Sequence, residues 1–253
     1  MASSNRKTRQ RLAVGGALVA VLGLAVGVGV YASSKTSAGA AGASGGDEAA
    51  GKPYVRPAHT TGEDGIVVPY GKADAKNVLT VWLDPRCPYC AGIEQGLGRT
   101  FKEEADAGTF RVEYRFATFL DGSLGGKGSK RALNALGAAV NESPEKFMEY
   151  LQVLFVNHPA RESDDVFGSD AKLLELAGKI PGLRTPAFDR AVEELTYLPW
   201  AERTGRAFQD EGKRGTPDVS LNGTQLVLNT GRGIESVTPE AFRQLIAPQL
   251  DKD

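Results

Sequence analysis

The chain has 253 residues, a formal net charge of −1 and 41% hydrophobic residues. That is the profile of an ordinary globular protein, and its length allows one domain plus extras. The near-neutral charge, with no basic cluster in the folded part, argues against nucleic acid as a partner. With 2 cysteines in all, no disulfide-stapled scaffold is possible, and packing must hold the fold.

Residues 1–11 carry Arg6, Lys7, Arg9 and Arg11, ahead of an uncharged run at 12–31 rich in Val, Leu, Ala and Gly. About 20 residues at 1.5 Å each span roughly 30 Å, enough to cross the hydrocarbon core of a membrane. The basic flank puts the N-terminus in the cytoplasm and the rest outside. Val30-Tyr31-Ala32 also fits a signal-cleavage site, so a single-pass anchor and a secreted product with its signal removed near Ala32 are both open. The anchor is the preferred reading, because the run exceeds a typical signal core. Residues 32–62, rich in Ala, Gly and Ser, lack apolar periodicity and read as a flexible linker. His59, at its end, reads as a solvated linker histidine.

The folded part is expected over 63–253. Ile66-Val67-Val68 reads as an edge strand bounded by Gly65 and Pro69, and Val78–Leu83 as a buried strand. It feeds directly into Asp84-Pro85-Arg86-Cys87-Pro88-Tyr89-Cys90, which holds both cysteines. Two thiols with two residues between them, at a strand-to-helix junction, can close into a disulfide and reopen. A helix start offers unpaired N–H groups and a positive dipole end. Those favour a thiolate at the first cysteine and make it the attacking sulfur. Pro88 suits the first helical position, where an absent N–H costs nothing.

The helix beyond carries Ile93, Leu97 and Phe101 as an inward stripe and ends near Ala107-Gly108. Phe110–Phe116 alternates with period two, a strand with one apolar face. Strand, CxxC, helix and strand make a βαβ unit whose right-handed crossover should leave the strands parallel. This is the opening of a thioredoxin-like α/β fold.

Residues 127–212 read as helices, of which about 127–196 form an inserted helical subdomain. Ser143-Pro144 caps one bearing Phe147, Tyr150, Leu151, Leu154 and Phe155. Ser169 caps the next, with Leu173, Leu174 and Leu176, and Thr185-Pro186 opens another with Phe188, Val192 and Leu195. Pro199 starts the last, running through Phe208 to about Gly212. His158 falls in a loop as a structural or solvated residue. The sheet resumes at Asp218–Leu221, turns at Asn222-Gly223 in a type I′ hairpin, and returns over Thr224–Leu228. Thr238-Pro239 caps a final helix with Phe242, Leu245 and Ile246 facing inward.

Trp82 through Cys90, together with Gly215-Thr216-Pro217, a strand and Asn222-Gly223, resembles the DsbA-like family of exported thioredoxin-fold thiol–disulfide oxidoreductases. That family has an acidic residue three before the first cysteine, a CPxC motif and a GTP…NG segment whose proline is cis. The resemblance covers about 63–248. It implies Cys87 as nucleophile, Cys90 as resolving thiol, and a redox-active Cys87–Cys90 disulfide in place of any cofactor or metal. Pro217 would face the disulfide while Thr216 offers its backbone to an extended substrate, and Pro88, Tyr89, Asp84 and Arg86 would shape the site.

The chain departs from the family at two places. A buried acid six residues before the first cysteine is replaced by Val81, so proton transfer at Cys90 would use water, Asp84 or another group. Asp84 fits a turn-forming role equally well. Tyr89 stands where DsbA has a thiolate-stabilising His, an effect Arg86 would partly offset by turning toward the sulfur.

The leading expectation is an extracytoplasmic dithiol oxidase acting as a monomer on exported protein thiols and reoxidised by a quinone-linked membrane partner. An isomerase or reductase of the same fold, DsbG-like or serving cytochrome c maturation, is the alternative. A non-enzymatic module is disfavoured. A two-residue loop restrains little chain, and two cysteines with two distant histidines make a poor zinc site.

Overall fold

The computed structural model describes residues 48–229, 231, 233 and 235–250. The 12–31 anchor or signal segment and the linker up to residue 47 lie outside the described residues. Among those described, no helix is long and apolar enough to cross a membrane.

Five strands form one mixed sheet in the order β1-β3-β2-β4-β5. β2 (Val78–Leu83) and β3 (Arg111–Phe116) run parallel at its centre, joined by α1 (Pro88–Ala107). β1 (Val68–Tyr70) lies antiparallel to β3, and β4 (Asp218–Leu221) antiparallel to β2. β5 (Thr224–Leu226) closes the far edge as a hairpin with β4. At its turn Asn222 and Gly223 take φ of 49° and 81°, the paired positive values of a type I′ loop.

Leu79, Val81, Leu83, Val112, Tyr114 and Phe116 point to one face and share a core with Ile93, Leu97 and Phe101 of α1. Trp82, of opposite parity, packs on the other face with Phe208 of α7 (Leu198–Asp210), ring centroids 5.4 Å apart.

Between β3 and β4 come α2 (Phe119–Leu124), α3 (Gly128–Glu142), α4 (Pro144–Val156), α5 (Asp170–Ala177), α6 (Pro186–Glu193) and α7. The caps fall where local chemistry dictates. Ser143 accepts from Lys146 N–H, Ser169 from Lys172 N–H and Thr185 from Phe188 N–H. Thr238 does the same for Ala241 N–H at the start of α8 (Pro239–Ile246).

Four expectations need correction. The edge strand is Val68–Tyr70, with Ile66 outside it and Val67 only bridged to Thr61; Pro69 is tolerated inside because an edge position needs no N–H on its free side. Helical structure begins at Phe119, ahead of the expected insertion, since α2 is too short to show a period. Leu245 is 38% exposed, whereas Phe242 and Ile246 are buried. The linker reading fails for its described part, residues 48–62. Glu48 pairs with Lys127 and Arg131, Ala49 packs on Leu195 and Leu198, and Ala58 N–H donates to Asn141 Oδ1. These ties are long-range and, apart from the Ala49 contact, polar, so apolar periodicity gave no sign of them.

Candidate active site

β2 ends at Leu83, and Asp84 through Arg86 turn the chain so that Cys87 becomes the N-cap of α1, with Pro88 at its first position. Cys87 N–H donates to Asp84 O at 2.9 Å, closing that turn. Both cysteines are free thiols. Cys87 retains 5% exposure and Cys90 none. The Thr216–Pro217 peptide is cis and brings Thr216 O to 3.3 Å from Cys87 Sγ, which donates to it. The site thus gathers Cys87, Cys90, Thr216 and Pro217 from opposite ends of the domain.

The two sulfurs are electrostatically unlike. Cys87 lies below the ordinary thiol pKa, chiefly because the Cys90 thiol donates to its anion. The Thr216 side chain and the N–H groups of Cys90 and Tyr89 add to this, against the opposing effect of burial. Cys90 is pushed well up, first by burial and then by Cys87. Thr216 Oγ1 is buried without a partner beside the dithiol, yet it favours the anion of either sulfur.

Tyr89 is 45% exposed and walls a cavity of about 430 Å³ with Thr216, Pro217, Asn229, Gly231 and Gly233. A second hollow of about 520 Å³, lined by Tyr70, Lys72 and Asp106 among others, lies at the opposite end of the sheet and has no part in thiol chemistry. Among the described residues no group of His, Cys, Asp and Glu is placed to hold a metal ion.

Arg86 does not turn toward the sulfur. Its buried guanidinium runs into the helical subdomain, donating to Asp121 Oδ1, Gly125 O and Glu162 O at 3.0, 2.7 and 3.1 Å. Asp165 Oδ1 stands 3.5 Å away. These same carboxylates cap α3, which has no cap of its own. Asp121 accepts from the N–H of Ser129 and Lys130, and Asp165 from that of Lys127 and Gly128. Arg86 therefore rivets the CxxC turn to the start of α3.

Asp84 is fully buried. It accepts from Arg86 N–H, Ser129 Oγ and Leu120 N–H at 3.0, 2.6 and 3.2 Å. Burial raises its pKa to about 6 against the pull of these donors. Its contacts are those of a turn-holding carboxylate. His158 packs edge-on against Phe167. Burial keeps its ring below the ordinary pKa, although the Arg86 and Pro159 carbonyls favour the charged form.

Sequence reasoning missed Glu94, Thr216 Oγ1 and the Ser129–Asp121–Asp165 cluster. Only Glu94 left a sign: residues 90, 94, 97 and 101 share one helix face, and Glu94 is the one charge on it.

A parallel β2-α1-β3 unit followed by helices and a β-hairpin, with a dithiol at the N-terminus of α1, defines a thioredoxin-fold protein with an inserted helical subdomain. The chain belongs to the thioredoxin family, whose model, described as Thioredoxin, matches residues 62–247. Among solved structures it is similar to oxidised DsbA from Mycobacterium tuberculosis, with 24% identity, a TM-score of 0.57, and coverage of 72% of this chain and 91% of that one. Reduced DsbG from the same organism gives 24% identity and a TM-score of 0.58, covering 73% and 87%. BdbD from Bacillus subtilis gives 19% and 0.58, covering 72% and 91%. No curated protein matches the chain.

Proposed function

We propose that the protein is an extracytoplasmic thiol–disulfide oxidoreductase, acting first as a dithiol oxidase on exported proteins. The observation that carries this is the asymmetry of the two sulfurs: Cys87 is lowered at a helix start and retains 5% exposure, while Cys90 is raised and fully enclosed. In the oxidising direction a substrate thiolate attacks Cys87 of the disulfide and Cys90 leaves. A second substrate thiol then displaces Cys87, so the substrate is oxidised and the protein reduced. The cavity bounded by Tyr89, Thr216 and Pro217 suits an extended polypeptide whose backbone meets Thr216. Residues 12–31 would anchor the catalytic domain beside a quinone-linked membrane reoxidase, and the domain works as a monomer.

One observation favours the isomerase or reductase alternative. Arg86 is committed to Asp121 and Asp165, and no cation contributes among the leading causes of the Cys87 shift. A thiolate without a cation is less stabilised, which makes the disulfide less oxidising. The deciding experiment is the equilibrium of the Cys87–Cys90 pair with glutathione, run beside oxidation of a reduced peptide. A potential near about −120 mV supports the oxidase, and one near about −270 mV the reductase. Loss of both activities in Cys87→Ser is expected. Retention of activity in that variant would sink dithiol chemistry altogether.

A further inference from the structure

α1 carries a glycine, Gly96, at an exposed interior position, where alanine would favour the helix. Gly96 follows Tyr89 by seven residues, so the two share one helix face, about 10.5 Å apart along the axis. A Cβ at Gly96 would collide with Ser236 Oγ and lie 3.1 Å from Ser236 Cβ. Ser236 pairs with Asn229 in an isolated antiparallel bridge, and Val237 N–H donates to Leu228 O at 2.7 Å. Leu228 is buried, and Val237 packs against the main core. The chain beyond β5 therefore leaves at Leu228–Asn229 and returns at Ser236–Val237, and this closed base rests on α1 at Gly96.

Asn229 also lines the groove beside the dithiol, which it shares with Gly231, Gly233, Tyr89, Thr216 and Pro217. Gly231 and Gly233 take φ of 69° and 110°, and no atom lies within 4 Å of where a Cβ on either would be. Gly231 N–H donates to Asn229 Oδ1 at 3.3 Å. A wall bare of side chains at two positions lets another main chain lie directly against it. Such a wall suits an extended polypeptide whatever its sequence, as strand addition does. A small thiol, with little chain on either side of its sulfur, gains nothing from it.

We propose that the contact of Gly96 with Ser236 sets the position of this wall, and so makes the protein selective for cysteines within extended polypeptides over small thiols. The inference rests on the dithiol function above and names the substrate class of the same groove. Gly96 is a positioning residue: it acts through Ser236 and Asn229 rather than on either sulfur. A side chain at Gly96 would lift the base of 228–237 off α1 and carry Asn229 with it. Cys87 and Cys90 stay in place, because the β2–α1 turn and the cis Thr216–Pro217 peptide hold them independently of that base.

Stopped-flow mixing of the oxidised full-length protein with a reduced two-cysteine peptide, and separately with reduced glutathione, reads the selectivity. The two peptide thiols, or those of two glutathione molecules, become one disulfide as the Cys87–Cys90 disulfide is reduced to two thiols. The wild type should react faster with the peptide and saturate. Gly96→Met should raise the half-saturating peptide concentration by at least about tenfold, with the limiting rate and the glutathione rate unchanged. Gly96→Ala, which the helix favours, should show the same change to a smaller degree. Adding Ser236→Gly to Gly96→Ala should restore peptide binding, a rescue that a general loss of structure would not show. An unchanged peptide-to-glutathione ratio in the folded variants, an equal fall on both substrates, or no rescue would overturn the inference and leave the dithiol function standing. A wild type that reacts with neither substrate would overturn the dithiol reading itself, and this inference with it.

Discussion

Replacing Arg86 by Met keeps an apolar stem of similar reach and deletes the guanidinium that joins the CxxC turn to α3. The change removes its hydrogen bonds to Asp121 Oδ1, Gly125 O and Glu162 O and leaves the buried Asp121 without its counter-ion. Breaking one side of a buried ion pair costs about 3–5 kcal/mol. Asp121 keeps the N–H groups of Ser129 and Lys130, so the lower end applies, about 3 kcal/mol. For a domain of this size that is a fall in Tm of about 6–12 °C. Urea unfolding of the reduced protein measures the loss, and Asp121→Asn added to Arg86→Met should recover part of it. The potential of the dithiol should move by less than about 15 mV, under about 0.7 kcal/mol, because the guanidinium faces away from Cys87. A stability loss below about 1 kcal/mol, or a potential change above about 30 mV, would refute the account of Arg86 as a rivet.

Thr216→Val should raise the Cys87 pKa, read from the pH dependence of thiolate absorbance, because the thiolate loses a donor. Its stability should stay unchanged or rise, since the hydroxyl removed is buried and unpaired; a lowered Cys87 pKa would contradict this. Stability of the reduced wild type should fall as pH rises from about 4 to about 8. Glu94 and Asp84 have pKa values raised from 4.5 to about 8 and from 3.8 to about 6, so the folded state holds their protons more tightly than the unfolded chain does. The Asp84 part of the loss is complete once pH passes about 6. The Glu94 part amounts to roughly 5 kcal/mol above pH 8. Glu94→Gln should flatten the upper part of that slope in urea titrations at stepped pH, and a wild type with level stability across the range would show that the carboxyl is not enclosed.

The sequence on its own determined what short-range chemistry decides. Cys87 had to fall at a helix start because Pro88 follows it and a run of β-forming residues precedes it. The caps Ser143, Ser169, Thr185 and Thr238 bond to N–H groups three residues on, a distance any local pattern covers. β2 and the Asn222-Gly223 turn were legible for the same reason.

Tertiary structure decided where long and charged side chains went. Arg86 was free to lean on Cys87 until Asp121 and Asp165 were brought beside it from 35 and more residues away. Glu48 and Lys52 attach the segment before the sheet to Lys127, Arg131 and the Glu194 carbonyl, partners that no periodicity announces. The burial of Glu94 and the exposure of Leu245 depend on which neighbour covers each helix face. A capping bond is settled within one turn of helix, whereas the environment of a side chain is settled only when distant elements pack against it.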